Sequence, residues 1–285
     1  MPRSCLRRFW LILPLLCSVV AQAATTDRPP FFKLEYQGQT AWLLGSVHVG
    51  KADFYPLPDL VENAFAQSAS LVVEADTSKA DLLPLIRQYG LIRQPLSLSQ
   101  QQQMADYCAH KQAFCQSIAG LAPWLQASQI AMGQFQTLGL DPGAGVDGYF
   151  VGRMANKKLY ELEGVEQQFA MLASFNSDIQ WLMLKEAIQG TPMDANALID
   201  AWRNGDNARL AELMEGDLQQ PHQREFIQKL LWDRNHSMAE TLLQMMQNHR
   251  IEAPLFIIVG AGHLVGAQNI PGLLAGKNIK VTKLL

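Results

Sequence analysis

Two stretches of this sequence share one pattern, an apolar strand-like run followed by glycine, two small or apolar residues and a histidine. Trp42-Leu43-Leu44 leads into Gly45-Ser46-Val47-His48, and Ile257-Ile258-Val259 leads into Gly260-Ala261-Gly262-His263. Open α/β sheets bind ligands at the carboxyl ends of their strands, so each histidine is expected at a sheet rim rather than in the core. The glycines are expected to let the chain leave the strand at positive φ and to bring main chain close to a ligand. Carboxylates recur in the same kind of position. Glu74 ends the run Leu71-Val72-Val73, and Glu161 and Glu163 flank Leu162 just before Gly164. Imidazoles and carboxylates converging on one edge would suit a hydrolytic divalent ion such as Zn²⁺, Mn²⁺ or Co²⁺. Such an ion polarises a carbonyl and acidifies a bound water, while a spare glutamate takes the proton.

Each piece also has a plainer explanation. A single strand-end histidine is more often a hydrogen-bonded structural residue than a ligand, and Glu166 and Asp76 read as helix-capping acids. Glu74 is harder to explain that way, because no other polar group interrupts its run. Farther along, Arg234 and Asn235 are candidates for gripping a substrate carboxylate or carbonyl. His236 and Glu240 are four apart on a helix face, which reads as a solvated face and is not His-Glu-x-x-His. Ser46 does not lie in the Gly-x-Ser-x-Gly elbow of serine hydrolases, and Cys108 and Cys115 lack a partner arrangement that would make a thiol nucleophile.

The elements that must position these residues follow from periodicity. Phe31 to Tyr36 and Thr40 to Leu44 read as a hairpin around Gln37-Gly38-Gln39; Leu57 to Gln67 as a helix; Ser70 to Val73 as a buried strand. Val146 to Asn156 reads as a helix, Leu159 to Leu162 as a strand and Val165 to Ser174 as a helix. Further helices are expected at Ile179 to Ile188, Asp194 to Arg203, Asn207 to Glu215 and, as one long helix, Arg224 to Asn248. Strands return at Leu255 to Val259 and Ile279 to Leu284. The strand, helix, strand order implies an α/β fold with a central mixed or parallel sheet, flanking helices and a large helical insertion. The repeated motif implies two strands ending side by side. The chain reads as one domain, residues 24–285, with a helical lobe over about 81–145 and 176–250.

At the N-terminus, Arg3, Arg7 and Arg8 precede an apolar run from Phe9 to Val20, and Ala21-Gln22-Ala23 has the form of a signal-peptidase site. The apolar run is about a dozen residues, short of the ~20 needed to span a bilayer, so no membrane anchor is expected after cleavage. Removing residues 1–23 leaves 20 basic and 26 acidic residues, a formal net charge of −6. The scattered basic residues make no nucleic-acid footprint. A periplasmic or secreted location is therefore expected, and with it one disulfide, Cys108 to Cys115, the alternative being two buried free thiols. On one straight helix their Cα atoms would be about 10.5 Å apart, too far to bridge, so pairing requires the helix to break between them.

Taken in order, several of these stretches resemble the Tiki/TraB/GumN family and its YbaP-like bacterial members. They are Gly45-Ser46-Val47-His48-Val49-Gly50, Val72-Val73-Glu74-Ala75-Asp76, Gly145-Val146-Asp147, Glu161-Leu162-Glu163-Gly164 with Gln167, and Val259-Gly260-Ala261-Gly262-His263-Leu264-Val265-Gly266. The resemblance covers essentially the whole mature chain. It implies a core shared with erythromycin-esterase-like and ChaN-like proteins and a metal-dependent hydrolase acting on a peptide or a small amide or ester. His48 and His263 would be metal ligands, Glu74 a ligand or general base, and Glu163 its support. Animal members are proteases that trim a signalling protein, and TraB-type members are linked to shutting down peptide pheromones. The alternative is a non-catalytic periplasmic protein whose rim binds a peptide or other ligand. Met132, Met154, Met183, Met245 and Met246 offer soft donors for that role but read better as core and helix-face residues.

Overall fold

The computed structural model describes residues 26–248 and 251–285; the expected signal peptide, residues 1–23, lies outside them. Six strands form one mixed sheet: β1 (Phe31–Tyr36), β2 (Gln39–Ser46), β3 (Ser70–Val73), β4 (Lys158–Glu161), β5 (Leu255–Gly260) and β6 (Lys280–Lys283), in the order β4-β3-β5-β2-β1-β6. β4, β3, β5 and β2 are mutually parallel, and β1 is antiparallel to both β2 and β6. The two repeated motifs are thus direct neighbours, with Gly45 opposite Val259 and Ser46 opposite Gly260. Because the four parallel strands end on one side, the residues after Ser46, Val73, Glu161 and Gly260 share one edge. The crevice at that edge is where an open sheet of this kind binds ligands.

Alternation along β5 divides the interior into two cores. Phe256 and Ile258 join Phe31, Leu44, Phe54, Leu71, Phe150 and Trp202 on one face. Ile257 and Val259 join Leu34, Leu43, Val72, Met238, Leu242 and Leu274 on the other. The helices Asp59–Gln67 and Pro192–Asn204 therefore cover one face, and Asp233–Gln247 with Ile270–Ala275 the other. Two helices of the 176–250 segment, Pro192–Asn204 and Asp233–Gln247, thus pack on the sheet. A smaller core around Ile118, Ile130 and Leu184 belongs to the helices between β3 and the late strands. Met246 is buried and Met132, Met154, Met183 and Met245 are half-buried against these cores, which accounts for them as packing.

Two expected helices differ from the sequence reading. The one starting at Val146 ends at Val151, with Gly152 as its cap, instead of reaching Asn156. Its apolar face is exhausted by Val146 and Phe150. The long helix runs as Pro221–Ile227 and Asp233–Gln247 around a π-helical turn, Gln228–Trp232. Such an inserted turn re-aims the residues that follow it, and π-turns gather at functional sites. Arg234 and Asn235 come directly after this one.

Cys108 and Cys115 are joined by a disulfide with a Cα separation of 6.0 Å. The helix does break between them, Leu98–Cys108 ending before Gln112–Ile118 begins. Replacing both cysteines with serine is expected to lower stability by about 2 kcal/mol, the loop being short. Chemical denaturation with and without reductant would check this, and equal midpoints would contradict it. Among the described residues no helix is long and apolar enough to cross a membrane.

Candidate functional site

The parallel sheet edge brings six of the sequence-predicted side chains together: Glu74, Glu163, Arg234, Asn235, His48 and His263. Glu74 is 8% exposed, and its Oε1 accepts the Gly260 N–H at 2.6 Å. The two adjoining strand ends are therefore tied by a carboxylate to main-chain contact. Glu163 is placed by continuation of the β3–β4 ladder, its N–H donating to the Glu74 carbonyl at 2.9 Å. Between the two carboxylates lies Arg234. It donates to Glu74 Oε2 at 2.7 Å and to both oxygens of Glu163, at 2.9 and 2.8 Å for the shortest contact to each. Arg234 is consequently a structural bridge between acids, and its guanidinium is committed to them rather than free for a substrate.

The histidines occupy unlike environments. His263 is 4% exposed, which corrects the expectation that both rings stand at the rim. It lies in a short helical turn after β5, where Met214 and Leu231 crowd the preceding Gly262 so closely that a Cβ there would be 2.7 Å from Met214 Cε. Asn235 gives an amide N–H to the Gln268 carbonyl, so its Oδ1 faces the ring and accepts from His263 Nδ1 at 2.5 Å. That leaves the unprotonated Nε2 directed at Glu74 Oε1, 3.5 Å away. Burial pushes the His263 pKa down to about 4, against the pull of Glu74, so the ring is neutral near pH 7. Asn235 is thus a positioning residue for the ring, where the sequence had offered it as a substrate contact.

His48 has a side chain 65% exposed. Its Nδ1 is 3.0 Å from Asp147 Oδ2, whose other oxygen accepts the Ser46 hydroxyl at 3.0 Å. The charge of Asp147 pushes the imidazole pKa up. Asp147 reaches this place because residues 141–147 dock on residues 47–50. Gly50 and Asp141 exchange main-chain hydrogen bonds at 3.0 and 2.8 Å, and the Val146 N–H donates to the Val47 carbonyl at 3.0 Å. A Cβ on Gly145 would be 2.7 Å from the His48 carbonyl oxygen, so the approach requires glycine there.

For Glu74, burial raises the pKa, and the Arg234 guanidinium, the His48 imidazolium and the Gly260 N–H pull it back down. Gln168 completes the network, its amide donating to Glu74 Oε2 at 3.2 Å and Glu163 Oε2 at 3.1 Å. The sequence pattern had pointed to Gln167, which is exposed. After Gly164 the helix Val165–Ala173 turns residue 168, four beyond the glycine, back over the strand ends. Asp147 and Gln168 were not read from sequence as site residues, although Gly145-Val146-Asp147 was the available signal for the first. His236 is exposed and contacts Gln268 Oε1 at 3.0 Å, while Glu240 pairs with Lys277; the two do not interact as a pair.

The glycines matter through their missing side chain. Neither Gly45 nor Gly260 has positive φ, contrary to expectation. A Cβ on Gly45 would sit 3.1 Å from Ala261 Cα, because neighbouring strand ends crowd it. One on Gly260 would lie 3.3 Å from Glu74 Oε1, 3.5 Å from His48 Nε2 and 3.7 Å from His263 Cδ2. Gly260 thus keeps open a small cradle faced by a carboxylate oxygen and two imidazoles. With Glu74, Glu163 and Asp147 against Arg234 and the Asp147-paired His48, the surroundings keep a negative surplus that favours a dication. These donor types fit a hydrolytic metal ion, and each imidazole has the hydrogen-bonded far nitrogen typical of a ligand. Among the described residues no three His, Cys, Asp or Glu side chains stand at ligating separations as they are.

Residues 30–283 match the TraB/PrgY/gumN family. The chain belongs to that family. It is similar to Uncharacterized protein YbaP of Escherichia coli (strain K12), at 27% identity over 244 residues, covering 81% of this chain and 86% of YbaP. An uncharacterized protein of Treponema pallidum (strain Nichols) is 19% identical, covering 91% of this chain and 86% of its own length. No solved structure gave a significant match. The TraB/PrgY/gumN match spans every residue of the strand-end network. Within it, Asn235→Ala is expected to weaken divalent-ion binding about 10- to 100-fold by freeing the His263 ring. Ion titration of the purified variant checks this, and unchanged affinity would remove Asn235 from the site.

Proposed function

We propose that this TraB/PrgY/gumN member is an exported metal-dependent hydrolase, most suited to peptide bonds, whose ion is held by His48 and His263, with Glu74 as a further ligand or as the general base. The observation that carries the reading is the cradle at Gly260, where the two Gly-x-x-His motifs and the Glu74 strand end meet around one open point. Bound there, Zn²⁺, Mn²⁺ or Co²⁺ would supply Lewis acidity and a water of lowered pKa.

The protein's own residues do the rest. Asn235 holds His263 in the tautomer whose Nε2 faces the cradle, and Asp147 orients His48 by the same device. Arg234 and Gln168 fix Glu74 Oε2, leaving Oε1 toward the histidines. Glu163, with a side chain 1% exposed, balances Arg234 and so keeps Glu74 from being fully neutralised. Acting as the base, Glu74 takes a proton from water as it adds to the substrate carbonyl and returns it to the leaving amine as the C–N bond breaks.

Hydrolysis of a mixed peptide library by the mature chain, residues 24–285, supplied with each ion is the test. Activity lost in a His48→Ala/His263→Ala double variant and on chelation is expected; full activity in the double variant would refute the reading. A second reading rests on the saturation of Glu74 by Arg234, Gln168 and Gly260, which suits a rim that binds a peptide without cleaving it. Saturable peptide binding indifferent to chelator, without turnover, would favour that reading.

A further inference from the structure

The helix that carries Gln168 into the site continues away from it, and its far end forms a wall of a separate cleft of about 710 Å³ in the helical lobe. This is within the ~300–1,000 Å³ usual for ligand sites. From Gln168 to Ser174 the helix advances about 9 Å, roughly three residues of extended peptide. The opposite wall comes from the segment after the helix Leu82–Tyr89, which follows Glu74 in sequence and is tied to the Gln168 helix by Tyr89 Oη donating to Glu166 at 3.1 Å. Both walls are therefore anchored to catalytic-edge elements.

The lining alternates apolar and polar groups, with Leu91, Pro95 and Pro123 among Gln94, Ser97 and Ser177. A peptide needs both kinds of surface, apolar ones for its side chains and hydrogen-bonding ones for its main chain. Only Arg93 and Asp178 are charged among the lining residues. Arg93 is exposed and donates to the Gln88 carbonyl at 2.5 Å. The arginines ion-paired to acids among the described residues are Arg153, Arg203, Arg209 and Arg234, so the Arg93 charge is left for an outside carboxylate.

We infer that this cleft binds the part of a peptide lying about three residues from the strand-end site, with Arg93 receiving a carboxylate from it. The carboxylate is either an acidic side chain or the peptide's own C-terminus. The inference takes its direction along the substrate from the hydrolase reading, but its test does not use hydrolysis. Fluorescein-labelled octapeptides of Ala and Ser would be titrated against the mature chain in chelator by fluorescence polarisation. One set carries Asp at each position in turn as C-terminal amides, and the other ends in a free carboxylate without Asp. A preference of about tenfold for one acidic set over the neutral amide is expected. The set that shows it identifies the source of the carboxylate. Arg93→Gln should abolish the preference and leave neutral-peptide binding unchanged, while Ser177→Trp, which fills the cleft without changing charge, should weaken all of them. Absence of peptide binding, or unaltered affinities in both variants, overturns the inference. Binding as described without turnover under any metal would refute the hydrolase reading alone.

Discussion

Replacing Arg234 with alanine should destabilise the protein by ~3–5 kcal/mol, the loss expected when one partner is removed from a buried ion-pair network. Arg234 sits between Glu74 and Glu163, whose side chains are 10% and 1% exposed, and is the cation that contacts both. Without it two carboxylates remain close together out of water, and Gln168 alone cannot compensate for them. At this chain length the loss corresponds to a fall in Tm on the order of 10 °C. The cause can be separated from lost packing by a double-mutant cycle. Arg234→Ala combined with Glu163→Gln should be markedly more stable than the sum of the single effects, because the second change removes one of the stranded charges. A loss below about 1 kcal/mol for Arg234→Ala, or strict additivity, would mean that the guanidinium is not what holds the acids together.

Gly260→Ala tests the site rather than the scaffold. Its backbone, with φ −53° and ψ 137°, is accessible to alanine, so the strand end should survive. The new methyl would stand 3.3 Å from Glu74 Oε1 and 3.5 Å from His48 Nε2, inside the space the three donors surround. Displacing these groups by a few tenths of an ångström to an ångström is expected to reduce ion affinity and any hydrolysis by about 100-fold. Thermal melting should change little. Wild-type ion affinity in a well-folded Gly260→Ala protein would show that the cradle is not where the ligand sits.

Much of this arrangement was legible in sequence because it depends on local pattern. The apolar run before each Gly-x-x-His gave β2 and β5, and their repetition gave the neighbouring strand ends found in the register of Ser46 with Gly260. Glu74 stood out as a polar residue closing a buried strand. What stayed hidden depends on contacts distant in sequence. Asp147 becomes visible only once the 141–147 loop docks on Gly50, and Gln168 only once the helix direction after Gly164 is known. The π-turn before Asp233 has no periodicity signature in a run that reads as one helix, yet it sets the heading of Arg234 and Asn235. Likewise, the two histidines look equivalent as letters. The turn after β5 buries one between Asn235 and Glu74, while His48 stays open beside Asp147.

The most direct measurement is divalent-ion binding by the untagged mature chain, residues 24–285, followed by calorimetry and by the visible spectrum of the Co²⁺ form. Wild-type protein should bind one equivalent, and His48→Ala and His263→Ala should each lose that binding while keeping their fold. Failure of the wild type to bind Zn²⁺, Mn²⁺ or Co²⁺, or undiminished binding in both variants, would contradict a shared metal site at the strand ends.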